Sequence, residues 1–421
     1  MGPARIGALL VTFLALPHVG RAQGPSTCRP QLDSARIGRH VEIAPGQFHQ
    51  FGGGGVFARC LDQPTTMQAD SVAWFSEQDL MEFIGSVRFQ DSTVFLDADR
   101  ARYHPTAERL EAYGSVRLEN QSTGAVLEGP NLLYLRAVTG LRDTSELYAV
   151  DRPLVEYRPT RDPSAVPYVI RGDHVRLQGD SDAWAGGDVT IDREDFAAVG
   201  DSATLEMNLG RGVLIGHAQV AGTDSGGYTI SGDRVAFRLT DDELSWVQAQ
   251  RNARARSAEW RVAGDTIEFN VAEDMVQGGS VWGDSTRSWA RSAQYAIEAD
   301  SLAIDSPDQL LTEVRSFGIA KATSMLDTLS VEPDWMAGDT LVARFDDAPS
   351  GRRIIVLLEA RGSAQAFYNI YESPLRIGPP SINYSRGKRI TAHFREDMLE
   401  RVDVLEAADG VYLEPAGRRR P

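Results

Sequence analysis

Aspartate and glycine recur along the chain in a fixed order. Small or apolar residues follow Asp99 at every second position up to Tyr103. About fifteen residues after the Asp come Gly114 and Val116. The Gly/Asp repeats of calcium-binding β-rolls are nonapeptides, whereas the Asp residues here stand 28 to 39 apart. The spacing therefore predicts no metal site. We expect the Asp to satisfy backbone donors at the turn entering a strand, and the Gly to mark a bulge or a close backbone approach.

No arrangement of residues typical of catalysis is present. The seven histidines are scattered, and no HExxH, GxSxG or CxxC motif occurs. The glycine run at 52–55 lacks the Lys-Ser/Thr of a phosphate-binding loop, so we expect it to be a flexible lead-in to the first strand. We expect carboxylate pairs such as Asp241-Asp242 to lie in turns, where water solvates their charges. The sequence predicts no enzyme, no catalytic residue and no cofactor.

The two cysteines, Cys28 and Cys60, both lie near the start of the exported chain. In an oxidising compartment such a pair can form a disulfide, with one possible connectivity. The spacing does not decide whether the bond forms. Neither cysteine is accompanied by a His-containing motif, so no nucleophile is predicted.

The elements that carry the Asp and Gly residues are β-hairpins. Small or apolar residues alternate on both sides of a polar turn, as at His104 to Thr106, and a period of two is typical of half-buried strands. About ten such units follow one another, with variable connections. The sequence predicts an elongated all-β array of repeated hairpins, stacked as two sheets into a rod of ~50 Å at ~4.8 Å per strand.

Composition divides the chain into segments. Residues 1–22 have a positive start, a short apolar core and a small-residue cleavage site, which indicates a secretory signal peptide rather than a membrane span. The predicted organisation is a signal peptide at 1–22, a lead-in region at 23–68, hairpin repeats at 69–150, a Pro-rich linker at 151–168, further repeats at 169–413 and a disordered basic tail at 414–421. No other segment is apolar enough to cross a bilayer.

The charge balance excludes one class of partner. The chain has 421 residues and a formal charge of −16, which becomes −18 when the signal peptide is removed, leaving 41 basic and 59 acidic residues. Nucleic acid is held largely by Lys and Arg that neutralise phosphates. We therefore expect no nucleic-acid partner. The aromatic cluster of Tyr368, Tyr371 and Tyr384 fits either packing at a strand edge or a ligand site.

Two regions resemble a known family. They are ADSVAWFSEQDLMEFIGSVRFQDSTVFLDADRARYHPTAERLEAYGSVRL, and later GDTLVARF, LEARGSAQAFY, NYSRGKRITAHF and VDVLEAADGVYLEP. These runs are similar to the OstA-like (organic-solvent-tolerance) family, which includes periplasmic lipopolysaccharide transport protein A. The resemblance covers residues 69–135 and 338–413 most clearly. The chain departs from the family in being about twice as long as a typical soluble bridge protein and in ending without a large C-terminal barrel.

The resemblance implies a twisted β-jellyroll, open along one edge, that passes lipopolysaccharide across the periplasm to the outer membrane. The implied partners are lipopolysaccharide or a related glycolipid, other lipopolysaccharide transport proteins stacked edge to edge, and further copies of the chain. Inward apolar residues are the candidates for the lipid groove: Val87, Phe89, Tyr103, Val116, Leu118, Val189, Ile191, Phe237 and Phe269.

Two other functions remain open at this stage. A closed core would suit a structural scaffold of the cell envelope that binds partners through its free strand edges. A carbohydrate-active β-helix enzyme would need two carboxylates facing each other in a cleft.

Overall fold

The computed structural model describes residues 27–158, 166–194, 196–222, 227–273, 275–325, 332–349, 353–371, 378–396 and 398–415. The proposed signal peptide and residues 416–421 of the proposed tail lie outside these ranges. The strands are β1 Pro30–Ala44, β2 Gln47–Cys60, β3 Thr66–Phe75, β4 Leu80–Gln90, β5 Val94–His104, β6 Arg109–Asn120, β7 Val126–Leu135, β8 Glu146–Val150, β9 Leu154–Tyr157, β10 Tyr168–Arg171, β11 His174–Gln178, β12 Asp182–Asp192, β13 Phe196–Glu206, β14 Arg211–Gly222, β15 Thr229–Thr240, β16 Glu243–Arg256, β17 Arg261–Ala272, β18 Met275–Trp282, β19 Ser288–Arg291, β20 Tyr295–Ala299, β21 Ser301–Asp305, β22 Glu313–Ser324, β23 Trp335–Asp347, β24 Arg353–Ile370, β25 Ser381–Arg395, β26 Met398–Leu405 and β27 Asp409–Leu413. Three single 3₁₀ turns lie at Ser76–Gln78, Met207–Leu209 and Pro307–Gln309.

All 27 strands belong to one antiparallel meander. Five pairs of short strands are the two halves of a single interrupted strand, because both halves pair with the same neighbours: β8/β9, β10/β11, β18/β19, β20/β21 and β26/β27. The described residues thus form 22 bent strands, each paired with the next along the chain. The predicted all-β array of repeated hairpins is confirmed.

Each bent strand crosses from one wall of the array to the other. In the β5–β6 pair, Asp97 faces Arg117 and Arg100 faces Tyr113, so β6 has one residue more than β5 between these positions. This is a β-bulge, which bends the strand. Wall 1 contains residues 100–104, 109–113, 131–135, 234–240 and 353–361, and wall 2 contains residues 94–98, 116–120, 126–129, 189–192 and 364–370.

The bends explain the repeated Asp and Gly. Gly114 lies in the bulge with a φ of 69°, and a Cβ built on it would be 2.4 Å from Oδ2 of Asp99 on the preceding strand. Only glycine combines a positive φ with so close an approach. Six glycines share this arrangement, at 2.1 to 2.4 Å: Gly85 with Asp70, Gly114 with Asp99, Gly187 with Asp173, Gly216 with Asp201, Gly318 with Asp300 and Gly362 with Asp339.

The prediction for glycine is therefore confirmed, and the prediction for aspartate is wrong in its position. Asp99 lies in the middle of β5 rather than at the turn entering it. Asp265 does bind backbone donors, because its Oδ2 accepts the N–H groups of Asp284 and Ser285, each at 2.7 Å. The Ser285 backbone hydrogen bond is the main reason that the pKa of Asp265 lies far below its usual value. In the repeat that contains Asp265, the polar loop with Asp284 and Ser285 takes the place of the glycine bulge.

Two of the predicted segment boundaries also need correction. Residues 23–68 are not a lead-in, because β1 and β2 form the first hairpin there and the glycine run lies within β2. The Pro-rich segment 151–168 does not interrupt the sheet, since β9 pairs with both β7 and β10. Residues 159–165 of that segment lie outside the described residues.

The walls enclose one continuous apolar core that runs from Cys28 to Ala392. Because every bent strand contributes to both walls, the array rises by one strand spacing per strand. Twenty-two bent strands at ~4.8 Å give roughly 100 Å, so the predicted rod of ~50 Å was too short. At the N-terminal end Cys28 and Cys60 form a disulfide with a Cα–Cα distance of 5.1 Å, which settles the alternative that the sequence left open.

Replacing a bulge glycine should destabilise the fold strongly. We expect Gly114→Ala to lower the free energy of unfolding by about 2–4 kcal/mol, because an L-residue at positive φ costs ~1–2 kcal/mol and the new Cβ collides with Asp99. Urea unfolding of the mature protein measures this. Gly124→Ala is the control, since Gly124 has a φ of 73° but no atom within 4 Å of an added Cβ. Equal losses in the two variants would refute the role assigned to Asp99.

Candidate functional site

The nine residues proposed for the lipid groove are all buried in the core between the walls, with exposed fractions of 6% or less. Tyr103, Phe237 and Phe269 lie in wall 1, whereas Val87, Phe89, Val116, Leu118, Val189 and Ile191 lie in wall 2. Phe89 packs on Tyr103 with ring centroids 6.0 Å apart. These residues therefore face inward as predicted, and their contact with lipid stays a prediction.

The two walls end in rows of hairpin turns, and contacts between these rows decide whether the interior is open. The edge of wall 1 includes the turns at 105–108, 179–181 and 241–242, and the edge of wall 2 includes those at 61–65, 91–93 and 121–125. Over the N-terminal and middle parts of the array, polar side chains connect the two edges.

A buried carboxylate makes the N-terminal connection. The side chain of Glu108, at the edge of wall 1, is fully buried. From the edge of wall 2 it accepts the Cys28 N–H at 2.5 Å and Gln63 Nε2 at 2.9 Å. From wall 1 it accepts the Tyr103 hydroxyl at 2.7 Å and Arg136 Nη2 at 2.9 Å. Burial lowers the pKa of Arg136, but the hydrogen bonds and charge of Glu108 outweigh this and leave it raised.

Further connections follow along the array. The Tyr134 hydroxyl of wall 1 donates to Asp91 Oδ2 at 2.9 Å. In the middle of the chain the Tyr168 hydroxyl of wall 2 donates to the Asp242 carbonyl of wall 1 at 2.8 Å. Arg193 donates to the same carbonyl. These bonds hold the edges together, and two cavities in this region have volumes of about 50 and 20 Å³.

The interior opens at the C-terminal end of the array. A cavity of about 680 Å³ lies between the walls there. It is lined by Tyr295, Ala322, Thr323, Ser324, Asp334, Trp335, Met336, Ile355, Leu358, Tyr368, Asn369, Ile370, Tyr371, Asn383, Ser385, Phe394, Met398, Leu399, Glu400, Arg401, Val402 and Val404. None of the nine proposed groove residues is among them.

The alanine content of the core does not explain the cavity. Among the described residues, 7 of the 15 buried hydrophobic residues from 320 to 392 are Ala, but 9 of the 21 from 183 to 255 are also Ala. Of the seven alanines near the C-terminal end, only Ala322 lines the cavity. No alternation or composition signal in the sequence therefore marks this site.

The cavity has a mixed lining. Both walls contribute apolar side chains, such as Leu358 and Val402 of wall 1 and Met336 of wall 2, and wall 2 also contributes Asp334, Tyr368 and Asn369. Asp334 Oδ1 accepts the backbone N–H of Asn369 at 2.8 Å and its Nδ2 at 2.9 Å. An amphipathic lining of this kind suits a ligand with an apolar body and a few polar atoms.

Tyr368 is the unusual member of this lining. Its side chain is only 4% exposed, and its hydroxyl has no hydrogen-bond partner in the described structure. Burial, and secondarily the negative charge of Asp334, raise the pKa of Tyr368, so the hydroxyl stays protonated and can donate. A buried polar group without a partner costs free energy, and in native proteins such groups are few.

Of the three tyrosines noted in the sequence, Tyr368 and Tyr371 line the cavity. Tyr384 instead donates to Gln365 Oε1 at 3.1 Å. The cluster is therefore divided between the cavity lining and a hydrogen bond between neighbouring strands, and its contact with a ligand stays a prediction. Residues 372–377, which follow Tyr371, lie outside the described residues.

Within the described ranges, no group of three or more His, Cys, Asp or Glu side chains is placed to hold a metal ion. In the same part of the chain, no helix has the length and apolar character that a bilayer-spanning helix requires.

Comparison with known proteins gives a structural neighbour but no family. No family model matches the chain, and no curated protein matches it. Nine chains of solved structures match. One is LptH of Pseudomonas aeruginosa, described as the LptA-homologous periplasmic component of the lipopolysaccharide transport device, with 16% identity over 45% of this chain and 84% of LptH. The TM-score is 0.13, so the two structures do not superpose globally, and the fold rests on the strand pairing of this chain.

Two buried tyrosines should respond differently to loss of the hydroxyl. Tyr134→Phe should lower the free energy of unfolding by about 1–3 kcal/mol, because it removes a buried hydrogen bond to a carboxylate. Tyr368→Phe should leave stability unchanged or raise it, since its hydroxyl has no partner to lose. Urea unfolding of both variants measures the difference. A comparable loss in Tyr368→Phe would show that its hydroxyl is bonded in the free protein.

Proposed function

We propose that this chain is a non-enzymatic periplasmic protein that binds lipopolysaccharide and acts in its transport or assembly to the outer membrane. The observation that carries the proposal is the 680 Å³ cavity between the two walls of a long β-meander. The motif resemblance at 69–135 and 338–413 supports the same function. Its partners would be lipopolysaccharide or a related glycolipid and other transport proteins of the envelope.

The proposed mechanism needs little specific chemistry. Burial of each CH₂ group contributes roughly 0.8 kcal/mol, so an acyl chain that enters the C-terminal cavity is retained chiefly by its removal from water. The cavity lies at the end of the array, where the inward residues of β26 are half-buried. Lipid can therefore enter without separating the edges that Glu108, Asp91 and Asp242 connect farther along the chain.

A charge placed in the cavity should weaken binding. We expect delipidated mature protein to take up lipopolysaccharide saturably in calorimetric titration, and Val402→Asp to weaken uptake at least tenfold, because a carboxylate in an apolar site is costly. Val150→Asp is the matched control, since Val150 is 46% exposed and does not line the cavity. No saturable uptake by the unmodified protein, or equal losses in both variants, would refute the proposal.

A second function has its own support. β1 pairs only with β2, and β27 pairs only with β25, among the described strands. Ile37 on β1 is 74% exposed and Leu413 on β27 is 55% exposed. Free edges with apolar side chains can add strands from a partner. An envelope scaffold, or a stack of copies of this chain, would use them.

The edge hypothesis predicts association that does not depend on lipid. Delipidated protein should form head-to-tail oligomers in sedimentation equilibrium, and Ile37→Lys should reduce them, because a charged edge opposes strand addition. Val411→Lys tests the other edge. Oligomers that form only after lipid is added would contradict a purely structural role and favour transport.

A further inference from the structure

The unpartnered hydroxyl of Tyr368 defines the chemistry of the ligand more closely than the cavity volume does. We propose that the C-terminal cavity holds the acyl part of one lipid at a time, and that Tyr368 donates a hydrogen bond to the ester or amide carbonyl oxygen at the head of the chain. The inference rests on the proposed function and names the ligand feature that this site recognises.

The position of Tyr368 supports the assignment. The residue lies in wall 2 next to Asn369, whose backbone N–H and Nδ2 both donate to Asp334 in the same lining. Leu358 and Val402 of wall 1 line the same space from the other wall. A lipid carbonyl placed beside wall 2 would satisfy the Tyr368 hydroxyl, and the attached chain would cover the apolar lining.

The volume limits the occupant. About 680 Å³ falls within the ~300–1,000 Å³ that a single small ligand occupies. Two further cavities between the described walls measure about 50 and 20 Å³, and neither is large enough for an acyl chain. A ligand with many acyl chains would therefore insert only part of its apolar surface here, with its head group outside.

Two probes of equal chain length test the hydrogen bond. Delipidated mature protein is titrated with 1-monododecanoylglycerol, which has an ester carbonyl, and with 1-O-dodecylglycerol, in which an ether replaces the ester. Tyr368→Phe should weaken binding of the ester about 3- to 10-fold, the range of a neutral hydrogen bond, and leave binding of the ether nearly unchanged. Tyr384→Phe is the control, because its hydroxyl bonds Gln365 rather than lining the cavity.

A second variant locates the probe. Ala322→Phe places a ring in the cavity and should abolish binding of both probes, with folding verified by circular dichroism. If Ala322→Phe does not fold, protection of Tyr368 ring signals by the bound ester in NMR spectra locates the probe instead. Equal affinities of Tyr368→Phe and the unmodified protein for the ester, or no binding of the ester at all, would overturn the inference.

Titration with lipopolysaccharide separates this inference from the proposed function. If lipopolysaccharide binds but Tyr368→Phe changes neither its affinity nor that of the ester, transport remains supported and the hydrogen bond is refuted. If the ester binds through Tyr368 but lipopolysaccharide does not bind, the site is that of a smaller acylated lipid, and the proposed function fails.

Discussion

The contact between an aspartate and the bulge glycine of the next strand sets the bend at six places along the molecule. Each contact lets one strand turn from wall 1 to wall 2, and the six glycines involved tolerate no side chain. Without these bends the chain would form one broad sheet with an exposed apolar face. With them, the same inward residues from both walls make a common core.

The bends join the two walls along one side only. The opposite edges of the walls are arranged in two different ways along the chain. In the N-terminal and middle parts, buried polar groups such as Glu108 and Asp91 connect the edges. Toward the C-terminal end, a cavity of about 680 Å³ lies between the walls, and the inward residues of β26 that line it are half-buried. Whether the interior is packed or open thus changes along the chain with the way in which the far edges of the walls are joined.

Much of the fold followed from the sequence because its determinants are local. Alternation around a turn identifies a hairpin, and Gly114 in phase with Gly85 indicated a bulge. The position of Asp99 could not be predicted, since a strand that bends at its centre has the same alternation on each side as two separate strands. The first hairpin was missed because its residues at 52–55 are glycines without apolar alternation. The cavity was missed because alternation shows which residues face inward, and not whether together they fill the space.

The pairing of each strand with the next has a consequence for how the chain is made. Contacts between sequence neighbours form quickly, because little loop entropy opposes them, and an array of this kind gains stability from each added neighbour. The first hairpin contains Cys60, whose disulfide to Cys28 closes the N-terminal end. A chain that emerges N-terminus first can therefore complete its closed end before its C-terminal strands exist, and each later hairpin docks on an edge already in place. The open cavity is the last part to form.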